Sequence, residues 1–279
     1  MARARPASYG RAVGNYLRKY AFVPRYRPAE ALSLVTADGV RLSGACLHGP
    51  PDAFATAVLV HGLAHWSRTP SIHAFAHLLS RHVHVLVPEL RGHGRSGGVC
   101  TLGRDEPLDV AAAVAAAPRD LPVVTVGVSL GGAAVLLHAG MHGGVDGVVA
   151  VSSPAWWGAW DTPSTQRVRR YAMSAGGRLV LARLLRTRIA ATCEGVPDSR
   201  DVVAKIAPAF TLVVHDPTDH YFGIEHATTI YEWAREPKAI WWEQGMGHGT
   251  ELLTPSLADR LVAEWRRRLG AEGDRTRRS

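Results

Sequence analysis

Eight short apolar runs, most of them separated by stretches that read as helix, limit what this 279-residue chain can fold into more than any other feature. The first two, "ALSLVT" and "VRLSGACL", flank "ADG" and predict a hairpin. "TAVLVHG", "HVHVLVPEL", "PVVTVGVS", "GVVAVSS", "FTLVVHD" and "AIWWEQG" follow. They are rich in Val and nearly continuous in apolar character, as strands are when both faces of a sheet are covered. Strands alternating with helices imply right-handed crossovers and an α/β architecture: a mostly parallel sheet with helices on both faces. In such sheets the loops leaving the carboxyl ends of the strands carry the chemistry.

One gap breaks the rhythm. Nearly sixty residues separate the strand ending near Ser152 from the one starting near Thr211, too many for one crossover. We read 154–207 as an inserted small helical cap on a core made of 31–153 and 208–270. A basic segment at 1–30 and a basic tail at 271–279 flank that core. Within 161–195 lie Arg167, Arg169, Arg170, Arg178, Arg183, Arg186 and Arg188, against Asp161 and Glu194. Two readings fit: a solvated helix face whose arginine stems cover apolar neighbours, or an amphipathic lid that meets an amphiphilic substrate or an anionic surface.

The net charge of +8 resembles that of a nucleic-acid binder until it is located. Residues 1–30 carry +6 and 266–279 carry +4, which leaves 31–265 at −2. No basic stripe interleaved with aromatics occurs, so nucleic acid is not expected as a partner. The basic ends read as solvated tails that keep the protein in solution, with weak contact of the cap and tails with a membrane or anionic surface as the alternative. The cationic start lacks the apolar core of a signal peptide, and no run of eighteen apolar residues occurs. Cys46, Cys100 and Cys193 are odd in number and form no CxxC, which fits reduced thiols and a cytoplasmic location.

Gly127-Val128-Ser129-Leu130-Gly131 matches G-x-S-x-G, the sharp strand-to-helix turn that exposes a nucleophilic serine. A second match, Gly94 to Gly98 around Ser96, has no strand running directly into it and no apolar helix leaving it. Ser129 has both; a glycine-rich phosphate loop or a packing turn is the competing reading. A serine hydroxyl needs a base. His248, in "EQGMGHGTEL" after the last predicted strand, is the candidate, whereas His226 reads as a helix-face residue. The imidazole in turn needs a carboxylate, and "LVVHDPTDHYFG" offers Asp216 and Asp219. His73 and His77 have metal-ligand spacing on a helix but no adjacent Glu, and we expect neither a metal nor a cofactor.

With these residues in place, the stretch from about 31 to 265 resembles the α/β-hydrolase superfamily, especially its monoglyceride-lipase-like and serine-aminopeptidase-like branch. "LVHGLAHWSRT", "PELRGHGRSGG", "GVSLGG", "HDPTDHYF" and "GMGHG" carry the likeness. The resemblance implies the α/β-hydrolase fold and assigns the acid to Asp219, with Asp216 the fallback where the family usually has glycine. Glu89 stands where the family usually has Asp. It also implies that the amides of Leu63 and Leu130 form the oxyanion hole and that His61 braces the loop. Trp156, Trp157 and Trp160 could line an apolar acyl pocket or simply hold the cap down. The expected activity is a cofactor-independent serine hydrolase cleaving a carboxylic ester with an apolar acyl group. A thioesterase or acyltransferase with the same residues, or a ligand-binding protein on the same fold, are the alternatives.

Overall fold

The computed structural model describes residues 29–157, 162–192 and 194–276. Trp160, Cys193 and most of the basic N-terminal segment lie outside the described residues. Eight strands form one sheet: β1 (Glu30–Val35), β2 (Arg41–Leu47), β3 (Thr56–Val60), β4 (His84–Pro88), β5 (Val123–Val128), β6 (Gly147–Val151), β7 (Phe210–His215) and β8 (Lys238–Trp242). Their order is β1-β2-β4-β3-β5-β6-β7-β8. The β1–β2 hairpin is antiparallel and joins β4 antiparallel, while β4 through β8 pair in parallel.

The apolar runs are continuous because both faces are buried. In β3, Ala57 and Leu59 point into one core layer while Val58 and Val60 point into the other. Helices α1 (Pro70–Leu79) and α7 (Pro255–Thr276) cover the first layer with Phe75, Leu79, Leu261 and Trp265. Helices α2 (Glu106–Ala115), α3 (Leu130–His142) and α6 (Ile224–Trp233) cover the second with Val110, Leu136 and Ile230. α3 is buried on nearly every side, so its sequence, "LGGAAVLLHAG", is apolar all round rather than amphipathic.

Between β6 and β7 the chain leaves the sheet and forms α4 (Pro163–Met173) and α5 (Ala175–Leu184). Thr162 caps α4 in a reciprocal pair with Thr165, and Ser174 caps α5 through the Gly177 amide. After α5 the chain is stitched to the "RGHGRSGG" loop. Gly94 N donates to Arg186 O (2.9 Å), Arg188 N to Gly92 O (2.8 Å) and Ala190 N to Cys100 O (2.9 Å). The Arg188 guanidinium adds bonds to the carbonyls of Ser96 and Gly98. The second G-x-S-x-G match is thus structural: Ser96 is buried and its hydroxyl accepts from Ser43 N, far from any cavity-lining role.

A buried ion pair fastens the hairpin end of the sheet. Arg91 donates from Nε and its amide to Asp109 (2.8 and 2.7 Å) and from Nη1 to Asp38 in the hairpin turn (2.8 Å). Asp109 is fully buried and the Arg91 side chain is 4% exposed. Removing Asp109 leaves the buried guanidinium with Asp38 as its nearest remaining carboxylate and the Arg91 amide without its acceptor. Asp109→Ala is therefore expected to lower the free energy of unfolding by about 3 kcal/mol, read from the urea midpoint, and a loss below about 0.5 kcal/mol would show the pair to be dispensable.

Candidate active site

Where β5 passes into α3 the backbone turns sharply at Ser129, which has φ 54° and ψ −116°. Non-glycine residues pay for that conformation with strain, and it persists only when the surroundings enforce it. Here Ser129 N donates to Val151 O (2.8 Å) and Ser129 O receives Ala133 N (3.1 Å), pinning the turn between strand β6 and the first turn of α3. The flanking glycines are a matter of space. A Cβ on Gly127 would lie 2.1 Å from Gly131 O, and one on Gly131 would lie 2.4 Å from Val60 O. The G-x-S-x-G spacing is therefore a steric requirement of this bend.

His248 follows β8 on a glycine-rich loop and reaches back to the turn. Its Nε2 lies 3.0 Å from Ser129 Oγ and its Nδ1 lies 2.7 Å from Asp219 Oδ2. The other Asp219 oxygen accepts from the amides of Tyr221 (2.8 Å) and Phe222 (3.2 Å). Burial pushes the Asp219 carboxyl pKa up, but the bond to His248 and the two amides outweigh it, so the net pKa lies below the ordinary aspartate value. An ionised Asp219 holds the proton on Nδ1 and leaves the Nε2 lone pair facing the hydroxyl. The Asp219 side chain has no solvent exposure and that of His248 has 15%, so the relay opens to solvent from the imidazole side. The rings of Tyr221 and Phe222 flank the imidazole at 4.4 and 5.6 Å between centroids.

Asp216 occupies a different post from the one held open for it. Its Oδ1 accepts from Thr218 N (2.7 Å) and Thr218 Oγ1 (2.8 Å), and its Oδ2 from the amides of Met246 and Gly247 (2.9 Å for Gly247). It thus ties the loop that carries Asp219 to the loop that carries His248. Burial raises its pKa, yet the converging amides and hydroxyl prevail and bring it down to about 2. Two further positioning contacts escaped the sequence reading. Ser152 Oγ accepts from Gly249 N (3.0 Å), and Glu251 accepts from His248 N (3.1 Å). A carboxylate three residues after the histidine was the available clue to Glu251; Ser152 had none.

A cavity of about 400 Å3 opens over Ser129 and His248. Leu63, Leu102, Trp156, Trp157, Val168 and Leu181 give it an apolar wall, and Leu130 borders Ser129 at the start of α3. Trp156 stacks on His226 with centroids 4.0 Å apart, and His226 Nδ1 accepts from Ala155 N (3.1 Å). The α6 residue read as helix-facing therefore holds the tryptophan wall upright. His73 and His77 pack against each other at 3.2 Å on α1, away from the cavity. Among the described residues no group of three His, Cys, Asp or Glu side chains is arranged to hold a metal ion.

His61 sits beneath the loop that carries Leu63. Its Nε2 accepts from Leu90 N (3.0 Å) and its Nδ1 donates to Gly62 O (2.8 Å).

The fold and this site together define the class of protein. Residues 57–277 match the model of the alpha/beta hydrolase family, and the chain belongs to that family. Among curated proteins, the uncharacterized protein YfhR of Escherichia coli O157:H7 is 27% identical over 225 residues, covering 76% of this chain and 70% of YfhR. Among solved structures, the alpha/beta hydrolase GrgF from Penicillium sp. sh18 superposes with a TM-score of 0.70 at 18% identity, covering 88% of this chain and 100% of GrgF. The Pyrococcus furiosus esterase Pf2001 gives 0.69 at 17% identity, covering 89% of this chain and 98% of the esterase. The esterase RhEst1 from Rhodococcus sp. ECU1013 gives 0.68 at 21% identity, covering 86% and 98%. At these identities the structural likenesses speak for the fold alone.

Burial pushes the His61 pKa down, to about 4, against the opposing pull of its bond to the Gly62 carbonyl. In the unfolded chain the same ring titrates near 6.5. Between these values the unfolded state binds a proton that the folded state refuses, so stability falls as pH falls from about 6.5 toward about 4. Replacing His61 by Gln is expected to flatten the dependence of unfolding free energy on pH by up to about 1.4 kcal/mol per pH unit in that window. Urea midpoints at a series of pH values test this; an unchanged slope would mean that His61 titrates normally in the fold.

Proposed function

We propose that this protein is a serine hydrolase that cleaves a carboxylic ester through an acyl-enzyme on Ser129. The observation that carries the reading is the unbroken relay from Asp219 through His248 to the Ser129 hydroxyl, with bonds of 2.7 and 3.0 Å. His248 Nε2 takes the Oγ proton as Oγ bonds to the ester carbonyl carbon, and the carbonyl electrons move onto oxygen. The amides of Leu63 and Leu130, two residues that line the cavity with Ser129, are the donors this reading assigns to the oxyanion. Such donors are worth about 3 kcal/mol each. Collapse expels the alkoxide with the proton from His248. Water then gives its proton to the same nitrogen and attacks the acyl carbon, and the acid leaves as Ser129 regains its hydrogen. Asp219 orients the ring and stabilises the imidazolium throughout.

The apolar wall, including Trp156 and Trp157, supports a small or medium apolar acyl group, and the volume lies toward the small end of ligand sites. Two of the proteins that share the fold are esterases, and we take ester chemistry as the first choice. Assignment to the monoglyceride-lipase-like or serine-aminopeptidase-like branch is part of the same proposal. So is a cytoplasmic location, for which three widely spaced cysteines without a CxxC are the support.

A fluorophosphonate probe is expected to label the protein stoichiometrically, and Ser129→Ala to abolish both labelling and hydrolysis of p-nitrophenyl esters. Absence of labelling in the unaltered protein would favour a ligand-binding role instead. Asp219→Asn should lower kcat by about 10^4. Asp216→Ala, which frees two loops without touching the imidazole, should lower kcat by about 10^2 through misplacement. Equal losses would mean that the two carboxylates are not divided in role. Across a graded series of acyl lengths, each methylene should raise kcat/KM by about fourfold until the cavity is full; a sharp optimum at acetate would contradict the apolar pocket. Matched oxygen and sulfur esters compare the leaving groups.

A further inference from the structure

Helix α5 is apolar on two sides. Leu181 is half-buried and packs with the core layer that includes Trp156 and Trp157, and together with Leu185 it lines the cavity. That is the face a covering helix needs. On the remaining surface Leu179, Val180 and Leu184 stand in solvent, Leu184 at 71% exposure, and Tyr171 of α4 joins them. Of the ten large apolar side chains that stand exposed among the described residues, four lie within these fourteen positions. Scattered exposed leucines need no explanation, but a concentration of them does.

Charge selects what covers this face. Residues 162–192 contain seven arginines and no acid. Arg169, Arg170, Arg183 and Arg186 are exposed, and among the described residues none has a carboxylate within ion-pair distance. A second copy meeting this face through the same face would set its exposed arginines, among them Arg169, Arg170, Arg183 and Arg186, against their own like charges. Nucleic acid matches the charge but leaves the leucines, valine and tyrosine without an apolar partner. An anionic lipid surface answers both: phosphate headgroups for the guanidiniums and the acyl boundary for the aliphatic side chains.

We propose that the exposed face of α4 and α5 docks on anionic lipid bilayers. Tyr171 and Arg167 both line the cavity and stand exposed on α4, so docking seats the cavity mouth at the lipid interface. The surface belongs to the fold and does not depend on the reaction assigned to Ser129.

The test is sedimentation of the full chain, carrying Ser129→Ala so that no lipid is turned over, with two kinds of vesicle. One is pure phosphatidylcholine; the other contains about a third phosphatidylglycerol. The protein is expected to partition onto the anionic vesicles, to stay in solution with the neutral ones, and to be released by added salt. Each arginine near such a surface accounts for about a fivefold change in partition. Arg169→Gln, Arg170→Gln and Arg183→Gln together should therefore lower it about 100-fold, with circular dichroism and melting temperature unchanged. Leu179→Ser with Leu184→Ser should lower it as well, which a purely electrostatic tail would not predict.

Failure to bind anionic vesicles overturns the proposal. So does equal binding to both vesicle types, or undiminished binding of the triple variant, which would assign the affinity to the basic ends. If the triple variant instead changes the sedimentation of the lipid-free protein from dimer to monomer, or loses affinity only for duplex DNA, the face serves another occupant and the lipid assignment falls.

Discussion

The backbone bend at Ser129 is the constraint around which the rest of the site is arranged. A non-glycine residue at φ 54° and ψ −116° carries strain on the order of 1–3 kcal/mol. Three features hold it there: the hydrogen bond that its N–H donates to Val151 O, the start of a helix buried on nearly every side, and glycines at 127 and 131 where a methyl group would strike backbone oxygen. Because β5 lies in the middle of a parallel sheet, its neighbours on both sides fix the bend before any loop is considered. The hydroxyl is thus aimed from the buried centre of the sheet.

The two partners of that hydroxyl come from loops, and loops need other restraints. Asp216 provides the main one. As a single buried carboxylate it accepts from the loop after β7 and the loop after β8, so that the segments carrying Asp219 and His248 are tied to each other. Ser152, itself at positive φ (48°), holds Gly249 from the end of β6. The distances of 2.7 and 3.0 Å along the relay are therefore set by bonds that never touch the three residues' reactive atoms. This division of labour explains why one aspartate of the "HDPTDH" stretch faces the imidazole and the other faces backbone amides.

How much of this could be read from the chain follows from the range of the interactions. Strand runs, the G-x-S-x-G bend and the order Ser129, Asp219, His248 are written in short local patterns, because sterics and strand periodicity act over a few residues. The choice between Asp216 and Asp219 rested on the resemblance alone, since both lie at the same strand end and only the opposing loop distinguishes them. Ser152 and the α6 residue His226 act across 97 and 71 positions of sequence, and no local signal marks either. Likewise Ser96 matched the nucleophile pattern as text, yet its hydroxyl donates to Glu89 O and accepts from Ser43 N, making it a brace between strands.

Polar groups buried behind the site show what the arrangement costs and what it returns. His61 is held neutral in the core so that its ring can fix the loop bearing Leu63, at the expense of stability in mild acid. Glu89, buried, takes Ser67 Oγ at 2.6 Å and Arg95 N at 2.7 Å, bracing the far end of the same loop. Each such group is tolerated because every oxygen or nitrogen it uses has a partner. On the proposed reaction, two amides aimed at an oxyanion together contribute about 6 kcal/mol to the transition state, which exceeds the strain of roughly 1–3 kcal/mol stored at the serine. The balance is favourable only if the donors are already in place when charge develops, since reorganising them would consume the gain. Rigid bracing by buried polar side chains, rather than a larger apolar core, is the solution that this sequence adopts.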